Sequence, residues 1–249
     1  MRELLALIEK CHEKLKRSIA PFRYLNERRG FSAFLIKSER MGFCDDEIAN
    51  WFSKNLPSKW DLEPDYVRDS LANCVILPIR DDCGQVVAVA ARNPEAKKGW
   101  WNTPFMKEAC LYGLHAARTA AYFKNKLYLV EGYADRLTLH QSGLHNVAGL
   151  MSTTLSPNAA AVVLRYCSEL CACFDADPPV NGQPGAGTAA LRTLVRQYNQ
   201  PYYFDRLYAV PLPLRQGDGG EMLKDDPDSF VRRDGLKAFL KLEKRVAKD

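Results

Sequence analysis

The pattern of apolar and polar positions changes character near residue 127. From there on, short apolar runs alternate with stretches whose apolar residues recur at helical spacing. The runs predict strands at 127–131, 146–150, 169–174 and 206–212. The helical stretches lie near 133–142, 156–168, 187–199 and 228–246. Nearly continuous apolar strands that alternate with helices are typical of a parallel sheet with helices covering its faces.

The first half of the chain follows a different pattern. Residues 1–60 are predicted to be mainly helical, and residues 61–74 to form a connector. Two β-rich apolar runs within 73–93 flank the turn signal "DDCG" and predict a β-hairpin. Residues 94–104 are predicted to be a polar, aromatic loop. The sequence therefore predicts an α/β protein whose parallel sheet is preceded by a mixed helical and β subdomain.

Three parts are expected: a basic front subdomain at 1–126, a sheet domain at 127–212, and an acidic loop with a C-terminal helix at 213–249. The apolar content of 47% suffices for a sizeable core. No apolar run reaches the length of about 18 residues that a membrane span needs, and the N-terminus lacks the features of a signal peptide. The eight cysteines form no C-x-x-C pair. We therefore expect a cytoplasmic, monomeric protein with reduced thiols and neither a zinc site nor a membrane partner.

Charge is unevenly distributed along the chain. Residues 1–126 contain 21 Lys and Arg against 16 Asp and Glu, whereas residues 127–249 contain 14 of each. A basic front half beside a neutral half with acidic clusters is typical of a polyanion-binding surface next to a metal site. Ordinary solvated surface charge is the alternative interpretation.

Acidic residues follow three of the predicted strands. They are Glu131 and Asp135 after the first strand, Asp175 and Asp177 after the third, and Asp226 and Asp228 after the fourth. Because the carboxyl ends of parallel strands share one edge of the sheet, we expect these side chains to converge. Two carboxylates about 4 Å apart repel by roughly 4 kcal/mol at an effective dielectric of about 20. Such a cluster therefore needs bound cations or strongly raised pKa values.

The ligand chemistry of this cluster favours a hard divalent cation. Carboxylate oxygens without histidine or cysteine select Mg²⁺ or Mn²⁺ rather than zinc. Mg²⁺ held by a few carboxylates usually completes its coordination shell with water and substrate phosphates. The pattern therefore points to phosphoryl or nucleotidyl transfer.

Each acidic cluster also has a structural alternative. Asp226 precedes a proline and could cap a helix, Asp135 could be favoured by a helix dipole, and Asp175 could belong to a turn. The run "GQPGAGT" at 182–188 resembles a phosphate loop but has threonine where the lysine is required. We predict that this run is a flexible excursion after the third strand.

The motifs resemble a known family. The order Glu131-Gly132-Tyr133-x-Asp135, Asp175-x-Asp177, Asp226-Pro227-Asp228 is similar to the Toprim signature, a Mg²⁺-binding fold. The stretches "LPIRDDCGQVVAVAAR", "LYGLHAAR", "VEGYADRLTLHQSG" and "KDDPDSFVRRDGLKAFL" narrow the resemblance to the RNA polymerase core of DnaG-type bacterial primases. The runs "CHEKLKRS", "YLNERRGF" and "RMGF" resemble the helical part that precedes that core.

The resemblance implies a function and a set of site residues. It assigns metal binding to the six acids named above, with Glu131, Asp175 and Asp177 as catalytic residues and two or more Mg²⁺ or Mn²⁺ ions as cofactors. The resemblance also assigns template and nucleotide binding to four residues, Arg80, Arg92, Asn102 and Lys107. Trp100 and Trp101 could stack on bases or pack in the core. The implied reaction is synthesis of short RNA on single-stranded DNA from ribonucleoside triphosphates.

Two other functions remain open at the level of sequence. A Toprim nuclease would use similar acids to cleave phosphodiesters, and a non-catalytic Toprim module would bind nucleic acid and replication partners. No stretch of the sequence matches the family's zinc-binding or helicase-binding domains. A replicative helicase or a separate zinc-binding chain is therefore an expected partner.

Overall fold

The computed structural model describes residues 2–57, 59–96, 99–152, 154–200, 202–217 and 219–246. Lys97 and Lys98 of the predicted loop lie outside these ranges. The chain divides into two compact units, residues 1–105 and 106–249. Within the described ranges, none of the helices combines the length and the hydropathy that a membrane-spanning helix needs.

The front unit packs helices against a four-stranded antiparallel sheet of order β1-β2-β3-β4. Its strands are β1 Gly42–Cys44, β2 Cys74–Arg80, β3 Val86–Arg92 and β4 Trp101–Asn102. Its helices are α1 Arg2–Lys16, α2 Ile19–Arg23 with a π-turn at Tyr24–Arg28, α3 Ala33–Ser38, α4 Asp46–Ser53 and α5 Pro64–Leu71. Leu7, Phe52 and Leu71 belong to the buried cluster that joins helices and sheet. The predicted hairpin is confirmed as β2 and β3.

Three details of the front unit differ from the prediction. The predicted connector contains α5, which begins at Pro64 because proline is well tolerated in the first turn of a helix. The predicted helical region contains the short strand β1, which pairs with β2. The predicted loop contains β4, which extends the sheet beside β3. Periodicity misses strands of two or three residues because they carry too few positions to show alternation.

The second unit is built on a five-stranded sheet of order β11-β8-β7-β5-β6. Its strands are β5 Lys126–Val130, β6 Val147–Gly149, β7 Glu169–Cys173, β8 Arg206–Ala209 and β11 Lys244–Arg245, with a separate hairpin of β9 Arg215–Gln216 and β10 Met222–Leu223. The four predicted strands are parallel, and β11 joins the edge antiparallel to β8. The predicted parallel sheet is therefore confirmed.

Helices cover both faces of this sheet. They are α6 Leu114–Lys124, α7 Tyr133–Gln141, α8 Pro157–Leu164, α9 Ala186–Tyr198, α10 Pro227–Asp234 and α11 Leu236–Lys241. Leu129 and Ala172 point into the buried cluster that includes α6, α8 and α9. Cys171 and Cys173 point to the opposite face, where α7, α10 and α11 pack. Both thiols therefore lie on one side of β7, as residues two apart on a strand must.

The C-terminal helix predicted at 228–246 is wrong in its extent. It divides into α10 and α11 at Gly235, whose φ of +82° is a conformation that glycine adopts without strain. The last strand of the described chain, β11, follows α11.

The boundary between the two compact units differs from the predicted one. The units divide between residues 105 and 106, whereas the predicted subdomain boundary lies at 126. The reason is that α6 contributes Leu114, Ala117 and Ala121 to the core of the second unit.

Candidate active site

The acidic residues gather at the point where the strand order of the sheet reverses. After β5 the chain adds β6 on one side and returns to place β7 on the other. Ligands of open parallel sheets bind at such a switch point, beyond the carboxyl ends of the strands. Glu131 follows β5, and Asp175 and Asp177 follow β7. The topology therefore places these three acids on neighbouring strand ends, as predicted.

Glu131 is half-buried and contacts the adjacent strand end directly. Its Oε1 accepts a hydrogen bond from the backbone N–H of Asp175 over 3.2 Å. Burial raises the pKa of the Glu131 carboxyl, and the charge of Asp175 raises it further. This carboxylate is held in place by the backbone while its charged form is disfavoured, so binding a cation there would relieve an existing electrostatic cost.

Asp135 is buried and joins α7 to α10. Its Oδ2 accepts from the N–H of Gly132 over 3.0 Å, and its Oδ1 accepts from the N–H of Asp228 over 3.1 Å. Burial, with the charges of Asp175 and Asp226, raises the pKa of Asp135 to about 7. Asp135 lies in the first turn of α7, where the sequence predicts that a helix dipole could favour it. Both oxygens are engaged by backbone, so Asp135 fixes the geometry of the acidic edge.

The two acids of the "DPD" run begin α10. Asp226 caps the helix by accepting from the N–H of Ser229 over 2.6 Å, which confirms the capping alternative for this residue. Asp228 is buried and accepts from the hydroxyl of Thr138 on α7 over 2.6 Å. These contacts hold the N-terminus of α10 against α7, behind the strand ends.

The sequence does not predict Lys224 as a site residue, and its ammonium group lies between two acids of the cluster. Its Nζ lies 2.6 Å from Oδ2 of Asp175 and 3.1 Å from Oδ1 of Asp177. Burial lowers the pKa of the ammonium group, but the hydrogen bonds and charges of the two aspartates outweigh burial and raise that pKa above its ordinary value. For Asp175 burial has the larger effect and raises the pKa despite the lysine.

A backbone bridge sets the position of this lysine. Ala176 and Asp225 exchange two hydrogen bonds of 2.8 and 3.1 Å, which places the residue before Asp225 beside the acids that flank Ala176. The Asp225 side chain is buried and pairs with Arg233 over 2.8 Å. The bridge joins residues that lie far apart in the chain, so a local sequence pattern cannot predict it. The charged run "KDDPD" is the one feature of the sequence that marks this segment.

Two glycines of the "GQPGAGT" run, Gly185 and Gly187, are buried and packed tightly, whereas Gly182 at its start is exposed. A Cβ on Gly187 would lie 2.0 Å from the carbonyl oxygen of Asp175, and one on Gly185 would lie 2.1 Å from that of Asp177. The N–H of Gly187 donates to Oδ2 of Asp177 over 3.1 Å. The prediction of a flexible excursion is therefore wrong for the second half of the run, because these two glycines let the first turn of α9 pack directly against the acid-bearing loop.

The donor set fits a hard cation. Every candidate ligand at this edge is a carboxylate oxygen, and Oδ1 of Asp175 is buried with no hydrogen-bond partner in the described part of the chain. In those same ranges only Asp81, Asp82 and Cys83 place three ligand atoms within 4.8 Å of one another. That group lies at the hairpin turn, where Asp81 accepts from two backbone N–H groups. At the sheet edge, Lys224 lies between Asp175 and Asp177 instead.

The predicted template residues lie in both units. In the front unit, Arg80 donates to the carbonyl of Gly84 over 3.1 Å, and Arg92 lies 6.0 Å from the ring centre of Trp100. Asn102 is half-buried in β4, where it pairs with Ala90. Trp101 packs against the core of that unit and donates to the hydroxyl of Tyr66, which supports its core alternative. In the second unit, Lys107 is exposed in a short 3₁₀ turn, Lys107–Ala109.

Comparison with known proteins gives a consistent assignment. Residues 128–211 match the Toprim-like family model. A DNA primase of Clostridium acetobutylicum is 32% identical over 181 residues, which cover 71% of this chain and 27% of that protein. A DNA primase of Rickettsia typhi is 26% identical over 267 residues, covering 98% of this chain and 42% of that protein. This chain is a homologue of the bacterial DnaG primase core.

Solved structures agree with the assignment. A primase of Aquifex aeolicus, comprising zinc-binding and RNA polymerase domains, superposes with a TM-score of 0.76 and 22% identity over 98% of this chain and 60% of that one. A DnaG primase catalytic domain bound to single-stranded DNA gives a TM-score of 0.75 and 23% identity over 98% of this chain and 78% of that one. The fold is therefore that of the DnaG catalytic core. The chain spans less than half the length of the two curated relatives.

Proposed function

We propose that this DnaG homologue synthesises short RNA primers on single-stranded DNA by metal-dependent nucleotidyl transfer. The observation that carries the proposal is the carboxylate edge of Glu131, Asp175 and Asp177 at the switch point of the sheet. Alignment with DNA primases over nearly the whole chain supports the reaction class. In this reaction the 3′-hydroxyl of one nucleotide attacks the α-phosphate of the next, and pyrophosphate leaves.

The acids have separate roles in this proposal. Glu131, Asp175 and Asp177 hold two or more Mg²⁺ or Mn²⁺ ions, while Asp135, Asp226 and Asp228 complete the acidic edge and fix its shape. Bound divalent cations supply acidification of the attacking hydroxyl and stabilisation of the leaving pyrophosphate. Glu131, whose pKa is already raised by burial, accepts the hydroxyl proton or contributes a ligand oxygen. The first turn of α9 keeps the Asp175–Asp177 loop rigid, so the ligand oxygens need little reorganisation.

Basic side chains bind the polyanionic substrates in this proposal. Arg80, Arg92 and Lys107 neutralise phosphates of the template and the nucleotide, and Asn102 contacts the template through its amide. The single-stranded DNA in the solved DnaG complex described above supports such a template. A replicative helicase or a separate zinc-binding chain is the expected partner, and we place the monomeric protein in the cytoplasm.

One assay tests this function. The purified protein is incubated with single-stranded DNA, labelled ribonucleotides, and Mg²⁺ or Mn²⁺, and the products are resolved by length. Metal-dependent short RNA supports the proposal. Loss of the DNA instead would identify a nuclease. DNA binding without either product would identify a non-catalytic module that acts through partners.

A further inference from the structure

Lys224 occupies the position between the two aspartates where a bridging cation would be most favourable. Its ammonium group contacts one oxygen of Asp175 and one of Asp177, at 2.6 and 3.1 Å. The lysine side chain is half exposed, whereas those of the two aspartates are 14% and 20% exposed. The acids are therefore fixed in the protein, and the lysine reaches them from the solvent side.

The surrounding contacts fix the backbone of Lys224 but leave its ammonium group free to withdraw. The bridge between Ala176 and Asp225 and the ion pair of Asp225 with Arg233 anchor the following residue. The lysine side chain itself is a flexible stem of four carbons with rotatable donors. It can leave the carboxylates at the cost of two charge-assisted hydrogen bonds, without moving the strand ends.

We propose that Lys224 is a built-in counter-ion that a divalent cation must displace before that cation can bridge Oδ2 of Asp175 and Oδ1 of Asp177. This inference rests on the proposed function, because it concerns the cations of that same site. An ammonium group and a divalent cation cannot share the same carboxylate oxygens at these distances. Lys224 therefore neutralises the acidic edge in the absence of metal and raises the cation concentration needed to occupy it. It is a positioning residue, not a catalytic one.

The size of the effect follows from the fraction of molecules in which the site is open. A lysine that occupies the carboxylates about nine-tenths of the time weakens the apparent cation affinity about tenfold. Lys224→Gln removes the ammonium group and should strengthen Mg²⁺ binding by about that factor. Lys224→Arg keeps the positive charge and should bind no more tightly than wild type. Lys241→Gln on α11 makes the same charge change at an exposed lysine outside the acidic cluster and should match wild type.

The first measurement is calorimetric titration of the four metal-free proteins with MgCl₂ alone. Tighter binding by Lys224→Gln, with the Arg and Lys241 variants close to wild type, supports the counter-ion. Equal or weaker binding by Lys224→Gln overturns it while leaving the cation site intact. A complete absence of binding in all four proteins overturns the cation site, and with it both the inference and the proposed chemistry.

A second measurement uses the wild-type protein, so it does not depend on how a variant folds. Lysines are labelled with an amine-reactive reagent with and without MnCl₂, and the labelled peptides are quantified by mass spectrometry with Lys241 as the internal reference. A lysine expelled from the carboxylates becomes more reactive, so Mn²⁺ should increase labelling of Lys224 several-fold relative to Lys241. Unchanged or reduced labelling of Lys224 under conditions where Mn²⁺ binds would show that the lysine stays in place.

Discussion

Asp135 is a buried charge-bearing group whose two oxygens are both taken by backbone donors. One oxygen closes the first turn of α7, and the other receives the N–H of Asp228 at the start of α10. A neutral side chain of this size could accept only one of these bonds, since an amide has a single acceptor oxygen. The residue therefore stabilises the junction of two helices at the cost of an ionisable group in a buried position.

This position makes the stability of the metal-free protein depend on pH. The pKa of an unfolded aspartate is about 3.9, whereas burial and neighbouring carboxylates raise the pKa of Asp135 in the folded protein to about 7. Between these values the folded state binds more protons than the unfolded state, so the free energy of unfolding falls as pH rises. One such group contributes a slope of at most about 1.4 kcal/mol per pH unit. Urea denaturation in EDTA at pH 5, 6 and 7 should show this decrease.

The variant Asp135→Asn isolates the contribution of Asp135 to this pH dependence of the free energy of unfolding. Glu131 and Asp175 also have raised pKa values, so some decrease with pH should remain in the variant. The slope between pH 5 and 7 should nevertheless be smaller than in wild type. Identical slopes for the two proteins would show that Asp135 does not titrate in this range.

The variant Asn102→Ala tests whether this residue of the front unit contacts the single-stranded DNA template. Its backbone pairs with Ala90 in the sheet, so truncating the side chain should leave the fold intact. Loss of one hydrogen bond to DNA would weaken binding by roughly two- to tenfold. Fluorescence anisotropy with labelled single-stranded DNA should therefore show weaker binding for Asn102→Ala at an unchanged melting temperature. An unchanged affinity would mean that the side chain of Asn102 in β4 does not contact the template.

The first turn of α9 is the element that fixes the acid-bearing loop. Gly187 lies so close to the backbone of Asp175 that any Cβ must displace it. Gly187→Ala should lower the free energy of unfolding by about 1–3 kcal/mol, the usual cost of overpacking. It should also weaken Mg²⁺ binding, because the ligand oxygens move. Gly99→Ala is the matched control, since a Cβ there meets nothing within 4 Å. Equal stability of the two variants, measured by denaturation, would contradict the tight packing.

The elements could be predicted from sequence to the extent that burial determines them. β5, β6 and β7 are buried on both faces over almost their whole length, so each appears as a nearly continuous apolar run, and β8 is buried at alternate residues. The sequence does not predict the break at Gly235, because the helical periodicity continues across it. Likewise, the convergence of Glu131, Asp175 and Asp177 follows from strand topology. The insertion of Lys224 does not, because it depends on a bridge between Ala176 and Asp225 that no local pattern encodes.

Association with nucleic acid should be governed by charge over the whole molecule. Residues 1–126 contain the entire excess of positive charge. If single-stranded DNA is held mainly through phosphates, affinity falls with salt at a log–log slope of about −0.7 per contact. Lys107→Gln should make that slope shallower by about one contact, whereas Lys241→Gln should leave it unchanged. Binding of wild type that is flat between low and physiological salt would exclude phosphate contacts as its main source.

RNA synthesis by Glu131→Gln tests the central claim most directly. The substitution keeps the shape of the side chain and one acceptor oxygen for the N–H of Asp175, but it removes the charge. Primer synthesis should fall by about a hundredfold or more, the usual order for losing an electrostatic group at a reacting centre. Affinity for single-stranded DNA and the metal-free melting temperature should stay near wild type, as should all three properties in Glu47→Gln on α4. Normal primer synthesis by Glu131→Gln would contradict the assignment of this carboxylate edge as the active site.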